Sequence, residues 1–597
     1  MTVRNNLSRG SSPGGHEKPI VDIDVESTHG VHDHVRSGPE SNNILYEKIG
    51  IFINSKYAVY MRDFCLLALL VGWWIVAIAN DRPEIRHRWI PSTVIVWFFV
   101  LFILLHNSRY VPQQPFVRGI SAAWNTLLGK PWGMLPYYGK LGLGWTALAV
   151  LIFGSTYGLR TNSASSCGNR TISLVGLCLI YGGLFVFSNN HKAVKARTTI
   201  LGIGLQFVVG LFVFRTGTGY SLFRWISVAA ADLLGQAQAP TGRYSVGGGA
   251  AFFWSTDFVN ENHFFFVNVL SSIIFFVALC IALFYFGVLQ WSIQKFAWFF
   301  YKTFGISGGE AVVAVASPFI GQGENCVLVR PFVKTFTRSE FHQVLVSGFA
   351  TIAGSVYTAY VLLGVSSKDL ITSSVMSIPG SIAASKIVYP ETEEPDTAGR
   401  VVVDRQESED GRAHNFFEAL SNGASLGLQV ALLVFCNVLV LVTLVTTING
   451  ILAWIGNALY ITDSNGPLTL QLIVGYLLWP ITFMLGVPRA DVPQVSQLFA
   501  LKLLANEFVA YNTLQGTVMK SANPLSERGY LICKYGLCGF ANFGSVGISI
   551  GVLSAMAPSR RDVIVKLAFS AMITGALVTF SSAAIAGIVA DPALSQS

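Results

Sequence analysis

The chain has 597 residues, 52% of them hydrophobic and only 12% charged, and its mean hydropathy is +0.53. That balance excludes a soluble globule and describes a polytopic membrane protein. The net charge of +8 (40 basic against 32 acidic residues) bears on membrane topology, and no basic stripe interleaved with aromatics points to nucleic acid.

Residues 1–58 are polar and lack an apolar core of the kind a cleavable leader needs, so they read as a disordered cytosolic tail. The pair His32 and His34 lies in that tail and is expected to be solvated rather than metal-bound. Apolar segments follow near 64–79, 91–106, 141–159, 172–188, 198–215, 264–289, 340–364, 424–447, 467–486, 526–555 and 563–590, which predicts about eleven spans. Two further stretches, about 305–330 and 490–520, are too broken to span. They are expected to enter the membrane and return as helical hairpins with their tips buried in protein.

Basic residues set an orientation. The loops at 107–140, 189–197 (Lys192, Lys195, Arg197) and 559–562 (Arg560, Arg561) are placed in the cytosol with the N-terminus. On this count the acid-rich stretch 386–415 and the C-terminus fall outside, and the slightly basic segment 80–88 fits less well. The sequon Asn169-Arg170-Thr171 stands almost against a span and is expected to go unused, while 219–234 is amphipathic and suits the interface. The eight cysteines form no CxxC pair and have no histidine neighbours at zinc spacing.

Two glutamates at membrane depth carry the chemistry. Carboxylates are costly in hydrocarbon and are retained where they face a cavity. Glu324 sits in Gly321-Gln322-Gly323-Glu324-Asn325 and Glu507 in Asn506-Glu507-Phe508-Val509-Ala510-Tyr511, and each is followed by a Gly-Phe-Ala…Gly-Ser-Val run, at 348–356 and 539–546. Paired Gly-interrupted segments in two halves point to a transporter's substrate site. Glycines allow close backbone approach, Gln322 offers a donor and an acceptor, and Glu324 offers acceptors, which suits a planar polar solute. Glu507, Asn542 and Ser545 suit vicinal hydroxyls, with Phe540 adding an aromatic surface, and Asn542 and Ser545 share a face if their segment is helical.

Over roughly 170–590 the chain resembles the concentrative nucleoside transporter family, eukaryotic branch. The resemblance rests on Gly-Gln-x-Glu, Val329-Arg330-Pro331-Phe332, the Gly348–Val356 run, Asn506–Tyr511 and Cys538–Ile548. It implies an all-α homotrimer in the plasma membrane, with two re-entrant hairpins in inverted repeats and an elevator mechanism. The expected divisions are a tail (1–58), extra N-terminal spans (59–165), scaffold and interfacial helices (166–300), the first hairpin repeat (301–385), an acidic extracellular linker (386–415), further scaffold (416–487) and the second repeat (488–597). Gln322, Gly323 and Glu324 would meet the nucleobase beside Val356. Glu507, Asn542 and Ser545 would meet the ribose, and Phe540 would pack on the nucleoside.

One departure from the family concerns the coupling ion. Ser317 stands where sodium-coupled members carry an asparagine ligand, and the other matching positions are Ile320, Thr351 and Ile352. A short hydroxyl in place of an amide leaves a hard cation short of oxygens. The expectation is therefore a proton-coupled nucleoside importer with Glu324 or Glu507 as proton carrier and no cofactor, since burial raises a carboxyl pKa. Sodium coupling and passive facilitation are the alternatives. Gly323, where a hydroxyl residue is usual, opens room beside the base. No metalloenzyme motif or nucleophile–base pair suggests an enzyme.

Overall fold

The computed structural model describes residues 56–79, parts of 93–103, and 136–160, 165–237, 248–259, 265–322, 325, 329–396, 413–461 and 467–590, with a few positions omitted inside these ranges. The described residues are helical and include no β-strand. Residues 1–55 of the expected tail, most of the span expected at 91–106, and Gly323 and Glu324 lie outside them.

The chain clusters as two units, 1–122 and 123–597. In the first, helix α1 (Lys56–Ala79) sets Trp74 edge-on to Trp97, ring centroids 5.6 Å apart, and Trp74 Nε1 donates to Thr93 Oγ1 at 2.9 Å.

The second unit opens with α2 (Tyr137–Tyr157), α3 (Cys167–Val186), α4 (Ala196–Arg215) and α5 (Gly217–Gly235). The sequon falls in the first turn of α3, where Thr171 Oγ1 donates to Cys167 O (2.8 Å) and Asn169 O accepts from Arg528 Nη2 (3.1 Å). Next come α6 (Phe265–Tyr285), α7 (Val288–Phe304), α8 (Gly308–Ile320), α9 (Arg338–Ala350) and α10 (Gly354–Leu362). Helices α8 and α9 both begin on reciprocal capping boxes, Ser307 with Glu310 and Thr337 with Glu340, which satisfy first-turn N–H groups that burial would otherwise leave unpaired. The remaining helices are α11 (Ser367–Val388), α12 (Phe416–Ala458), α13 (Leu470–Met484), α14 (Val492–Leu504), α15 (Glu507–Thr513), α16 (Glu527–Leu537), α17 (Phe543–Met556) and α18 (Arg561–Val589).

By length and composition, α2, α3, α4, α12 and the stretch Pro558–Val589 can cross a membrane. The expected spans at 340–364 and 526–555 are both broken. Helix α9 stops at Ala350, and Thr351 is extended (φ −123°, ψ 165°) before α10 begins. Helix α16 stops at Leu537, and 538–542 run free before α17. The two breaks touch, because Phe540 N–H donates to Thr351 O at 3.3 Å. Gly539 makes that approach possible: its φ is +148°, and a Cβ there would lie 2.9 Å from Phe349 O and 2.7 Å from Thr579 Cγ2.

Helix α11 is a long buried helix that the hydropathy pattern does not reveal. Its 22 residues span about 33 Å at 1.5 Å each, and almost all of them are buried. It can be serine-rich because it faces protein, with Ser377 hydrogen-bonding Ser582 (3.3 Å) and Ser381 bonding Ser347 (3.2 Å). Its backbone lies close against α4, since a Cβ on Gly202 would come within 2.5 Å of Ala383 Cβ.

The segment that follows α11 is tied to neighbouring loops. Asn189 N–H donates to Val388 O (2.8 Å), Ser188 Oγ to Ile387 O (2.6 Å), Thr337 Oγ1 to Glu391 Oε2 (2.9 Å) and Arg560 Nη2 to Phe336 O (2.8 Å). The start of the 386–415 stretch therefore packs near the loops at 189–197 and 559–562. Residues 397–412 lie outside the described residues.

Candidate functional site

The two helix breaks and the tips of both hairpin segments meet at one cavity of about 120 Å³. Of the eight substrate residues named from the sequence, six line it: Gln322, Val356, Glu507, Phe540, Asn542 and Ser545. The other two, Gly323 and Glu324, lie outside the described residues.

Helix α14 ends at Leu504, and Asn506 then caps α15, its side chain accepting from Val509 N–H at 2.8 Å. The cap places Glu507 at the first position of α15, where the N-terminal end of a helix favours a carboxylate. Glu507 is 5% exposed. Its Oε1 accepts from Tyr360 Oη at 2.8 Å and its Oε2 from Asn542 Nδ2 at 3.0 Å. Tyr360 comes from α10, just after the first break, and Asn542 from the second break, so the carboxylate ties the two break regions together.

Asn542 is the cap of α17 rather than a member of it, and its Oδ1 accepts from Ser545 N–H at 2.8 Å. The relation expected between Asn542 and Ser545 as neighbours on a helix face is thus a capping relation. It also fixes the amide: with Oδ1 on the backbone, only Nδ2 can face Glu507.

Tyr360 was not evident from the sequence, although it stands one turn beyond Val356 on the same helix face. Its ring lies 5.2 Å from that of Tyr511 and 6.2 Å from that of Phe508. Lys502 was also missed. It is fully buried and donates to Gly536 O (2.8 Å) and Thr579 Oγ1 (2.9 Å), placing a cation at the C-terminal end of α16 beside the break.

Among the described residues, two buried atoms at the cavity have no partner, the acceptor Gln322 Oε1 and the donor Asn506 Nδ2. Buried polar atoms are nearly always paired, so these two are positions at which water or a polar ligand can complete the bonding.

The positions matched to the family's cation site are buried: Ser317 and Thr351 are at most 1% exposed and Ile352 is 3% exposed. Ile320 ends α8, and its side chain lies outside the described residues. Ser317 Oγ donates to Val313 O (2.8 Å) and accepts from Asn325 Nδ2 (2.6 Å). Thr351 Oγ1 donates to Ser347 O (2.8 Å). Helix α8 packs on both α9 and α10.

Three family models match the chain: Na+ dependent nucleoside transporter N-terminus at 175–242, nucleoside recognition (Gate) at 266–367, and Na+ dependent nucleoside transporter C-terminus at 369–587. The chain is 34% identical to solute carrier family 28 member 3 of Mus musculus over 547 residues, 90% of this chain and 74% of the relative. It is 37% identical to sodium/nucleoside cotransporter 2 of Rattus norvegicus over 548 residues, 90% of this chain and 76% of the relative. Among solved structures, CNTnw in an inward-facing substrate-bound state superposes with a TM-score of 0.63 at 32% identity, over 70% of this chain and 98% of that one. An outward-facing variant of CNTnw gives 0.64 at 32% identity, over 71% and 99%.

These matches overturn the expectation of a proton as coupling ion, because the family models and the rat relative are sodium-dependent. Position 317 taken alone did not decide the coupling ion; in the structure the Ser317 hydroxyl accepts from the amide nitrogen of Asn325 at 2.6 Å.

Proposed function

This chain belongs to the concentrative nucleoside transporter family, all-α elevator-type membrane transporters rather than enzymes, and from that premise we propose that it imports nucleosides together with sodium. The observation that carries the reading is the Glu507 carboxylate, held between Tyr360 and Asn542 on the wall of a cavity that also presents the unpaired Gln322 Oε1 and Asn506 Nδ2. An anionic acceptor with fixed donors around it suits the two hydroxyls of a ribose, and an amide with a free acceptor suits the edge of a base.

In this reading Gln322, with Gly323 and Glu324 beside it, meets the base. Val356 and Phe540 pack on the nucleoside, and Glu507, Asn542 and Ser545 meet the ribose. Ser317, Thr351 and Ile352, with Asn325 beside them, hold sodium next to the first break. Helices α6 and α12, which lie along one another, form part of a fixed scaffold past which the hairpins travel. A homotrimer in the plasma membrane, with the basic loops in the cytosol, completes the proposal.

The test is uptake of labelled nucleoside by proteoliposomes under an inward sodium gradient. Accumulation above the external concentration is expected, and equilibration without accumulation would replace the symporter by a facilitator. Tyr360→Phe removes one donor from Glu507 and leaves Asn542 in place. A hydrogen bond to a charged group contributes about 1.5–3 kcal/mol, so uptake at low nucleoside should fall at least tenfold at matched surface expression. A fall of less than twofold would detach Tyr360 from the site.

A further inference from the structure

The cavity has a second wall that the family motifs leave out. Opposite Glu507 it is closed by α12, which contributes Val430, Leu433, Val434, Asn437, Val438 and Leu441. Five of these six are apolar, and the exception, Asn437, stands near the middle of the apolar stretch 424–447. An amide at that depth is retained where it has a polar partner.

Within the protein Asn437 has little to bond. Its Nδ2 donates to Leu433 O, one turn back on its own helix, at 2.8 Å. Among the described residues nothing donates to its Oδ1, and the residue is half-buried at the cavity wall. The next asparagine along α12 behaves differently. Asn449 donates to Gln471 Oε1 and accepts from Leu470 N–H, both at 2.8 Å, so both ends of its amide are used in joining α12 to α13. Asn437 has no such helix–helix duty, and its acceptor and second N–H remain available on the cavity side.

We propose that Asn437 is a specificity-determining residue that hydrogen-bonds the nucleoside from the scaffold wall, in one facing state of the transport cycle only. The proposal rests on the nucleoside reading above and adds a contact from the side that does not travel. Glu507, Asn542 and Gln322 belong to the moving hairpins and breaks, so they accompany the substrate across the membrane. Asn437 stays at its own depth on α12 and can reach the substrate only while the cavity stands opposite it. A ligand contact present in one state and absent from the other biases the equilibrium between them by its own free energy. The amide therefore favours loading or release at one face, and selects nucleosides that present a complementary donor or acceptor there.

The experiment compares nucleoside KM from the two faces, in right-side-out and inside-out vesicles, for wild type, Asn437→Leu and Asn437→Ala. Both substitutions place apolar residues in an apolar helix, so the fold is retained. The expected result is a KM raised about three- to tenfold from one face, the range for one neutral hydrogen bond, with KM from the other face unchanged. A set of nucleoside analogues each lacking one donor or acceptor should contain one for which the variants and wild type no longer differ. Equal changes from both faces, no change from either, loss of all transport at normal membrane levels, or the same penalty on every analogue would overturn the proposal. Absence of nucleoside transport by the wild-type protein itself would instead sink the parent reading, and this one with it.

Discussion

Glu507→Gln is expected to reduce nucleoside uptake by about one to two orders of magnitude at matched surface expression. The side chain keeps its shape, so the effect is one of bonding. The carboxylate accepts from Tyr360 Oη and Asn542 Nδ2 at 2.8 and 3.0 Å. A glutamine amide has one acceptor end and one donor end. If its NH2 faces Asn542, two donors oppose each other, and Asn542 cannot turn because its Oδ1 caps α17. Turning it would give up a cap, at a cost of about 0.5–2 kcal/mol. If the NH2 faces Tyr360, the buried phenol must accept and its own O–H loses its partner. Either arrangement leaves a buried donor unmet, at about 1–3 kcal/mol, and also removes the charge that strengthened both bonds. Each 1.4 kcal/mol is a factor of ten. The loss should be the same for purine and pyrimidine nucleosides, because the ribose is common to both. Uptake at wild-type rates would remove Glu507 from the substrate site.

The second large effect concerns the ion. With pH held equal on both sides, replacing external sodium by choline should abolish accumulation, and an inward proton gradient alone should not restore it. Binding linkage gives an independent check. If sodium and nucleoside are coupled, each must raise the other's affinity by the same factor, commonly 5- to 150-fold for coupling of about 1–3 kcal/mol. Thr351→Val removes a buried hydroxyl from the cluster around the first break while keeping its volume. The sodium concentration for half-maximal uptake should rise several-fold, with nucleoside KM recovering at saturating sodium. Accumulation driven by protons in the absence of sodium would falsify this assignment, and Ser317 would then account for the loss of the cation site.

Much of this protein was legible in the sequence because its signals are local. Carboxylates and glycines inside apolar stretches mark positions where lipid is absent and the backbone turns, and this, with the family resemblance, pointed to Glu507, the two Gly-interrupted segments and six of the residues that line the cavity. The resemblance of the Gly348–Val356 and Gly539–Val546 runs likewise pointed to paired breaks. What the tertiary structure decided depends on partners far apart in the chain. Tyr360 reaches Glu507 across 147 positions, and no periodicity records such a pairing. Asn325 brings its amide nitrogen to the Ser317 hydroxyl, a contact that aligned positions taken one at a time do not record. Helix α11 shows the general reason most clearly. Hydropathy along a sequence measures exposure to lipid, and a helix enclosed by other helices can carry serines that bond its neighbours. Such a helix is invisible to that measure, and only the packing around it shows that it belongs to the buried core and which loops its end is tied to.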